Sequence, residues 1–351
     1  MSGPRAAGRT ADEDIEVGVI GAGYWGPNLV RNFSEAPGAN VRAVADLSPE
    51  RLSAIRKRFP AVRVTTDHRD LLDDTQIDAI CIVTPIATHR SLAAEAFAAG
   101  KHVFVEKPLA GTVADAEAIV RAGAEAGRTL MVGHTFVYNP AVTTVRGLIE
   151  RRELGDIQYI DSQRVNLGLH QFDFNVMWDL GPHDVSITLY WLDEEPEWVQ
   201  CIGACYIQQG IEDVVFLTMG FGSGAVAHAH LSWLAPSKLR TMTVIGSRKM
   251  AVYDDGHPAE KVKLYDHGVV ALSAEELRRS YRAGDIHSPR IPVTEALQLE
   301  VRHFIEKIRS GEPPRSDGEA GLRVVRVLEA GMRSLRSGGA RVAYRPEAVP
   351  A

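Results

Sequence analysis

Two groups of residues in this chain have the types and spacing for proton and hydride chemistry on an alcohol. The first is Glu106-Lys107-Pro108. Lys107 is a cation suited to hydrogen-bonding a hydroxyl and to stabilising the alkoxide charge that develops as the proton leaves. The second is Trp178-Asp179-Leu180-Gly181-Pro182-His183-Asp184. Gly181 and Pro182 read as a helix start, placing His183 in the first turn, where the helix dipole disfavours imidazolium. A neutral imidazole suits a general base that takes a hydroxyl proton as hydride leaves the same carbon. Asp179, just before that turn, is positioned to orient the ring or to contact substrate hydroxyls. Asp184 is expected to face solvent or a neighbouring loop. The competing readings are a solvated loop lysine and a His–Asp pair that caps a helix for stability.

A third group supplies a place for a dinucleotide. Gly21-Ala22-Gly23-Tyr24-Trp25-Gly26 follows the apolar run Ile15 to Ile20, and a helical pattern follows it through Leu29, Val30 and Phe33. Gly21 permits a tight turn, Gly23 lets backbone N–H groups approach a pyrophosphate, and Gly26 lets helix and strand pack closely. The helix N-terminus adds N–H donors and partial positive charge. Asp46, twenty positions after Gly26, ends the strand pattern Val41 to Ala45. Its carboxylate can accept both ribose hydroxyls and repels a 2′-phosphate, which favours NAD(H). A glycine turn in a protein that binds no nucleotide is the alternative.

The elements that must position these groups alternate strand and helix over the first 150 residues, the pattern of a parallel sheet covered on both faces. Strands are predicted at 62–64, 77–83, 102–105 and 129–132, with helices at 49–58, 89–99 and 112–126. Asn139-Pro140 opens another helix. In such a sheet, ligands sit beyond the strands' carboxyl ends, where Thr84-Pro85 and Lys107 fall. From about Gly155 the strands lengthen and alternate in polarity: 156–166, 197–208, 212–222, 224–234, 239–246 and 248–254. A helix is predicted at 182–191, and two more at 294–310 and 318–337. The expectation is an α/β protein with a disordered tail at 1–14 and a Rossmann domain at 15–137. A substrate and oligomerisation domain follows at 138–351, with a large, mostly antiparallel open sheet.

The 351 residues carry a formal net charge of −6, which gives no electrostatic case for nucleic acid. No stretch is long and apolar enough to span a membrane, and the first residues lack the apolar core of a signal peptide. Cys81, Cys201 and Cys205 have no C-x-x-C spacing, and Cys81 lies in an apolar strand. The reading is a cytoplasmic protein without a disulfide framework. Arg164, Asn166 and His170 precede the His183 helix and either line the pocket or form a surface cluster; an arginine there could pair with a diphosphate or carboxylate. His228 and His230 alternate onto one strand face with no third ligand, so no metal site is expected. Trp191, Trp198 and Trp233 read as core or interface.

Gly-Ala-Gly-Tyr-Trp-Gly-Pro-Asn at 21–28, Thr84-Pro85 with Thr88-His89, Glu106-Lys107-Pro108 and Asp179-x-x-x-His183 together resemble the glucose–fructose oxidoreductase / inositol dehydrogenase / rhizopine catabolism (Gfo/Idh/MocA) family. The resemblance runs from about Glu16 to Tyr344. It implies NAD as cofactor, Lys107 and His183 as the catalytic pair with Asp179 beside them, and hydride transfer between nicotinamide C4 and a ring carbinol of a sugar or cyclitol. It also implies homodimers or homotetramers built through the open sheet. The cofactor set is Gly21, Gly23, Tyr24, Trp25, Gly26, Asp46, Ser48, Arg51, Thr84, Pro85, His89, Glu106 and Lys107. The substrate set is Lys107, His134, Asn139, Arg164, Asn166, Asn175, Asp179 and His183.

Within that family, Gly-Tyr-Trp-Gly-Pro-Asn, Gly133-His134-Thr135-Phe136, Asn139-Pro140 and Trp178-Asp179-Leu180 are most similar to nucleotide-sugar 3-dehydrogenases, including those acting on UDP-N-acetylglucosamine or its uronic acid. The chain departs from many members at Asn175-Val176-Met177-Trp178, where they carry Gly-Gly. Rival functions are a 3-keto-sugar reductase, an aminosugar or cyclitol dehydrogenase, and a non-catalytic NAD-binding sensor or repressor.

Overall fold

Val17 to Ile20 have no polar face, and they form the middle of a sheet covered on both sides. The computed structural model describes residues 13–168, 170–271 and 279–345; most of the expected tail lies outside them. β1 (Ile15–Ile20) pairs in parallel with β2 (Ala39–Ala45) on one side and β4 (Ala79–Ile82) on the other. β3 (Arg63–Thr65), β5 (His102–Glu106) and β6 (Leu130–Gly133) complete the parallel order β3-β2-β1-β4-β5-β6. Strand order reverses between β1 and β4, so their carboxyl ends open the crevice in which such sheets bind ligands.

The connecting helices start where the sequence offers caps. α1 (Gly26–Glu35) follows the glycine turn. α2 (Pro49–Arg58) is capped by Ser48, whose hydroxyl accepts from the Arg51 amide at 3.2 Å. After α3 (Arg69–Leu72) and α4 (His89–Ala98), α5 (Val113–Ala126) is capped by Thr112 and closed by Gly127 at φ +60°.

The chain divides at Gly133, and Leu297–Leu322 returns to the first unit. This corrects the expectation of two contiguous domains parting at residue 137. α8 (Ala296–Ser310) buries Leu297, Val301, Phe304 and Ile305. Phe304 meets Phe33 and Phe104 edge-on at centroid distances of 6.2 and 5.7 Å. Ser316 then exchanges hydrogen bonds with Val132, and Asp317 bridges Met131. A helix with one apolar stripe needs a partner face, and its spacing in sequence does not say which unit supplies it.

The second unit, His134–Ala296 and from Arg323 on, is built on a nine-stranded sheet. Its strands are β7 (Ile157–Leu167), β8 (Pro196–Ala204), β9 (Val214–Phe221), β10 (Val226–Ser232), β11 (Leu234–Gly246), β12 (Met250–Asp254), β13 (Val262–Ala271), β14 (Arg279–His287) and β15 (Val342–Ala343). The order is β14-β13-β12-β11-β7-β10-β9-β8-β15, and β7–β10 pair in parallel while the other pairs run antiparallel. One face is apolar and buried, with Leu217, Met219, Ala227, Leu231 and Val244 among its residues. It shares a core with α6 (Pro140–Glu150), α7 (Val176–Leu192) and α9 (Gly318–Arg336). The opposite face leaves Tyr159, Phe216 and Val226 exposed.

α7 starts six residues earlier than the sequence suggested. Asn175 is its cap, accepting from the Trp178 amide at 3.2 Å, and Pro182 lies inside the helix rather than in its first turn. Pro182 has no N–H to give the Trp178 carbonyl one turn back; the burial of Val176, Met177 and Gly181 outweighs that lost bond. The β13–β14 hairpin was not foreseen either. Arg279–His287 is largely polar and sits at the sheet edge, where no burial imposes an alternating pattern.

Candidate active site

The glycine turn is shaped by contacts that only glycine allows at two of its three positions. Gly21 has φ +106°, and a Cβ there would meet the Val83 carbonyl oxygen at 2.4 Å. A Cβ at Gly26 would meet the Gly21 oxygen at 2.3 Å. Gly23 is different: a Cβ there would meet nothing within 4 Å. No protein contact requires glycine at 23, so the open space suits close approach of a pyrophosphate to the backbone. α1 follows without a side-chain cap, so its N-terminal end carries partial positive charge suited to a phosphate. The residues therefore fit NAD.

Asp46 lies beside this turn. One oxygen accepts from the Ala22 amide at 2.7 Å and the other from the Ser48 amide at 2.8 Å, and the side chain is 7% exposed. Each oxygen retains acceptor capacity for ribose hydroxyls. Arg51, largely exposed, reaches to 3.7 Å from Asp46. Tyr24 is almost fully exposed and stacks on Trp25 at 6.5 Å. Thr84 and Pro85 follow β4 against the turn, and the Thr84 hydroxyl bonds Thr88 at 2.6 Å.

His89, expected to touch cofactor, is 1% exposed and faces only backbone. Nε2 lies 2.9 Å from the Thr84 carbonyl, and Nδ1 lies 3.1 Å from that of Pro108 and 3.2 Å from that of Leu109. Burial pushes its pKa down. It ties the loop after β4 to the loop after β5.

Glu106 ends β5 opposite Gly133 of β6, and a Cβ at Gly133 would meet the Glu106 carboxyl at 3.1 Å. Glycine there makes room for the acid. The carboxylate accepts from the Lys107 amide at 3.1 Å, and the Trp25 indole is directed at it. Burial nevertheless raises its pKa to about 7, against the lowering effects of Lys107 and Trp25. Lys107, half-buried, precedes Pro108 across a cis peptide bond.

In the second unit, Asp179 and His183 are one turn apart on α7 and so share a face. Asp179 accepts from the Trp233 indole at 3.0 Å. The His183 ring meets the edge of Phe136 at 4.8 Å. His183 lies more than two turns into α7, beyond the reach of the N-terminal dipole. The first-turn argument for a neutral imidazole therefore fails; Asp179 occupies the first turn instead, where a carboxylate is favoured.

The remaining substrate candidates divide. Asp184, expected outside, is 2% exposed and holds Arg164 through two hydrogen bonds of 2.9 and 3.1 Å. That buried, bidentate pair removes Arg164 as a ready partner for a substrate anion. Asn175 is also buried and structural: it caps α7, and its amide donates to Glu212 at 2.6 Å. Asn139 caps α6, accepting from the Ala141 amide at 2.9 Å, while its amide donates to Tyr253 and Asp255 at 3.3 Å each. His134 is 2% exposed. Asn166 is half-buried at the end of β7, and His170 lies 2.9 Å from Asp213 with its ring 5.3 Å from Trp233.

Trp233 and Phe136 were missed as site residues. Each looks like core in sequence, and only the fold reveals that one anchors Asp179 and the other packs on His183. His228 and His230 flank Phe216 on the exposed sheet face, at 6.1 and 4.6 Å. Among the described residues no group of three or more His, Cys, Asp or Glu side chains could hold a metal ion, and no helix is long and apolar enough to cross a membrane. The three cysteines are free.

Residues 15–134 match the oxidoreductase family with an NAD-binding Rossmann fold, and residues 142–252 match the GFO/IDH/MocA C-terminal domain. The chain belongs to the Gfo/Idh/MocA family. It is an NAD-dependent oxidoreductase of that family, with the cofactor cradle described above. It is 26% identical over 337 residues to inositol 2-dehydrogenase 2 of Paenarthrobacter aurescens, covering 93% of this chain and 97% of that one. It is 25% identical to UDP-N-acetylglucosamine 3-dehydrogenase of Acidithiobacillus ferrooxidans, covering 89% and 94%. Among solved structures, a putative oxidoreductase from Magnetospirillum magnetotacticum superposes with a TM-score of 0.79 at 31% identity, covering 91% and 99%.

Proposed function

We propose that this protein is a sugar dehydrogenase that oxidises a ring carbinol, at C3 of a nucleotide-linked sugar. The observation that carries the reading is the Asp179–His183 pair, one helical turn apart, with Asp179 anchored by the buried Trp233 indole. A sensor that only bound NAD would have no use for such an arrangement. The kinship with an inositol 2-dehydrogenase and a UDP-N-acetylglucosamine 3-dehydrogenase supports a cyclic polyol or sugar as substrate. The motifs at 24–28 and 133–136 favour the nucleotide-linked branch.

NAD, when bound, would supply the hydride acceptor. The turn shaped by Gly21 and Gly26 would hold its pyrophosphate in the open space at Gly23, and Asp46 would hold the adenosine ribose and discriminate against a 2′-phosphate. Lys107 donates a hydrogen bond to the substrate hydroxyl and steadies the developing alkoxide. His183 takes the hydroxyl proton as the C–H bond breaks, leaving a ketone and an imidazolium. Asp179 stabilises that imidazolium and fixes the ring. Glu106, with its pKa near 7, sets the local charge beside Lys107. We also assign self-association to the open sheet face carrying Tyr159, Phe216 and Val226, giving homodimers or homotetramers.

The test is turnover of NAD with UDP-N-acetylglucosamine, dTDP-glucose, myo-inositol and free hexoses, with product analysis for the 3-keto sugar. NADH formation with a nucleotide sugar supports the reading in full. NADH formation with myo-inositol alone would retain the dehydrogenase and reject the nucleotide sugar. No turnover with any sugar or polyol, in either direction, would reject it.

A further inference from the structure

The structure assigns recognition of a substrate anion to Arg240, which the sequence motifs do not mark, rather than to Arg164. This rests on the dehydrogenase reading for the role of His183 and names the side chain that reads the anionic substituent of its sugar, a phosphate, diphosphate or carboxylate.

Arg164 on β7 and Arg240 on β11 are direct cross-strand partners, so both side chains leave the same face of the sheet. Both guanidinium carbons lie near the ring of Phe136, Arg164 at 4.5 Å and Arg240 at 5.9 Å. The His183 ring lies 4.8 Å from that same phenyl ring. With centroid distances of 4.8 and 5.9 Å, the Arg240 guanidinium lies within about 11 Å of the proposed base. One sugar ring with an anionic substituent spans such a gap.

The two arginines differ in what holds them. Arg164 is 3% exposed and bidentate to the equally buried Asp184. Withdrawing it would strand a buried carboxylate, which is strongly unfavourable. Arg240 is 37% exposed and makes one 3.4 Å ion pair with Asp255. Asp255 has other partners: the Tyr253 hydroxyl at 3.2 Å, the Asn139 amide at 3.3 Å and the Lys261 ammonium at 3.9 Å. A long, half-exposed ion pair contributes little, and when Arg240 leaves one Asp255 oxygen, Tyr253, Asn139 and Lys261 still hold the other. Arg240 is therefore the cation free to exchange its partner for a substrate oxyanion, and its planar fork suits phosphate and carboxylate alike. Asn139 acts through Asp255, as a positioning residue that keeps this acid in place.

The experiment is titration of NADH-saturated protein with glucose 1-phosphate, UDP-N-acetylglucosamine, glucuronate and neutral glucose, read by NADH fluorescence and calorimetry. At least one anionic probe is expected to bind about tenfold or more tighter than glucose, and which one separates phosphate monoester, diphosphate and carboxylate. Arg240→Met is expected to remove that preference and Arg240→Lys to restore part of it. Added salt is expected to weaken it in the unaltered protein, a measurement that needs no variant. Equal binding of glucose and every anionic probe would overturn the assignment, as would a preference that Arg240→Met leaves intact. Turnover measured in parallel separates the two claims. An Arg240-dependent preference without NADH formation keeps the anion site and rejects the dehydrogenase, whereas turnover of neutral sugars alone does the reverse.

Discussion

Replacing Glu106 by glutamine should stabilise the cofactor-free protein at neutral pH and above, but not in acid. In the folded chain Glu106 keeps its proton up to about pH 7, whereas its ordinary value is 4.5. Between those limits the folded state binds more protons than the unfolded one, so stability falls as pH rises from 4.5 through about 7. The interval from 4.5 to about 7, at about 1.4 kcal/mol per pH unit, amounts to roughly 3 kcal/mol once ionisation is complete. Glutamine has the same shape and carries no charge. Its advantage should therefore be under about 1 kcal/mol at about pH 5 and approach about 3 kcal/mol at about pH 8. Urea unfolding followed by circular dichroism measures this difference at both pH values. A difference that stays constant with pH would refute the argument, because it would mean that Glu106 ionises normally in the folded protein.

The glycine turn gives a paired expectation. Gly23→Ala should leave the melting temperature nearly unchanged, since a Cβ there meets nothing within 4 Å, yet weaken NADH binding about tenfold or more. Gly21→Ala, against a carbonyl oxygen at 2.4 Å and at φ +106°, should lower stability by more than about 1 kcal/mol. Normal NADH affinity in Gly23→Ala, measured by fluorescence titration, would remove the pyrophosphate from that space. Trp233→Phe should release the Asp179 carboxylate from its indole donor and lower kcat about tenfold while leaving NADH affinity unchanged. An unchanged kcat with only a lower melting temperature would make Trp233 structural.

The parallel-sheet unit was legible because its central strands are buried on both faces and helices α2 and α5 begin or end with their own signals: Ser48, Thr112, Gly127. Local chemistry and tertiary position agree at those sites. They part at α7. Gly181-Pro182 looks like a helix start, but the Asn175 cap and the burial of Val176 and Met177 carry the helix through it. That shift moved His183 away from the dipole and drew Asp184 inward to Arg164. Ion pairs of this kind join residues distant in sequence, 20 positions apart for Arg164 and Asp184, and nothing local marks them. The Leu297–Leu322 return was hidden for a similar reason: an apolar helical stripe states that it needs a partner, not which one. β14 escaped notice because it lies at the sheet edge, where burial imposes no alternation.

The central claim is that His183 removes a proton from a sugar hydroxyl in an NAD-dependent oxidation. The most direct measurement is NADH formation by His183→Ala with the best sugar substrate, alongside NADH affinity by fluorescence titration. Loss of turnover by about a hundredfold or more, with NADH affinity unchanged, is the expected result. Turnover near that of the unaltered protein would contradict the account, and so would loss of NADH binding together with activity.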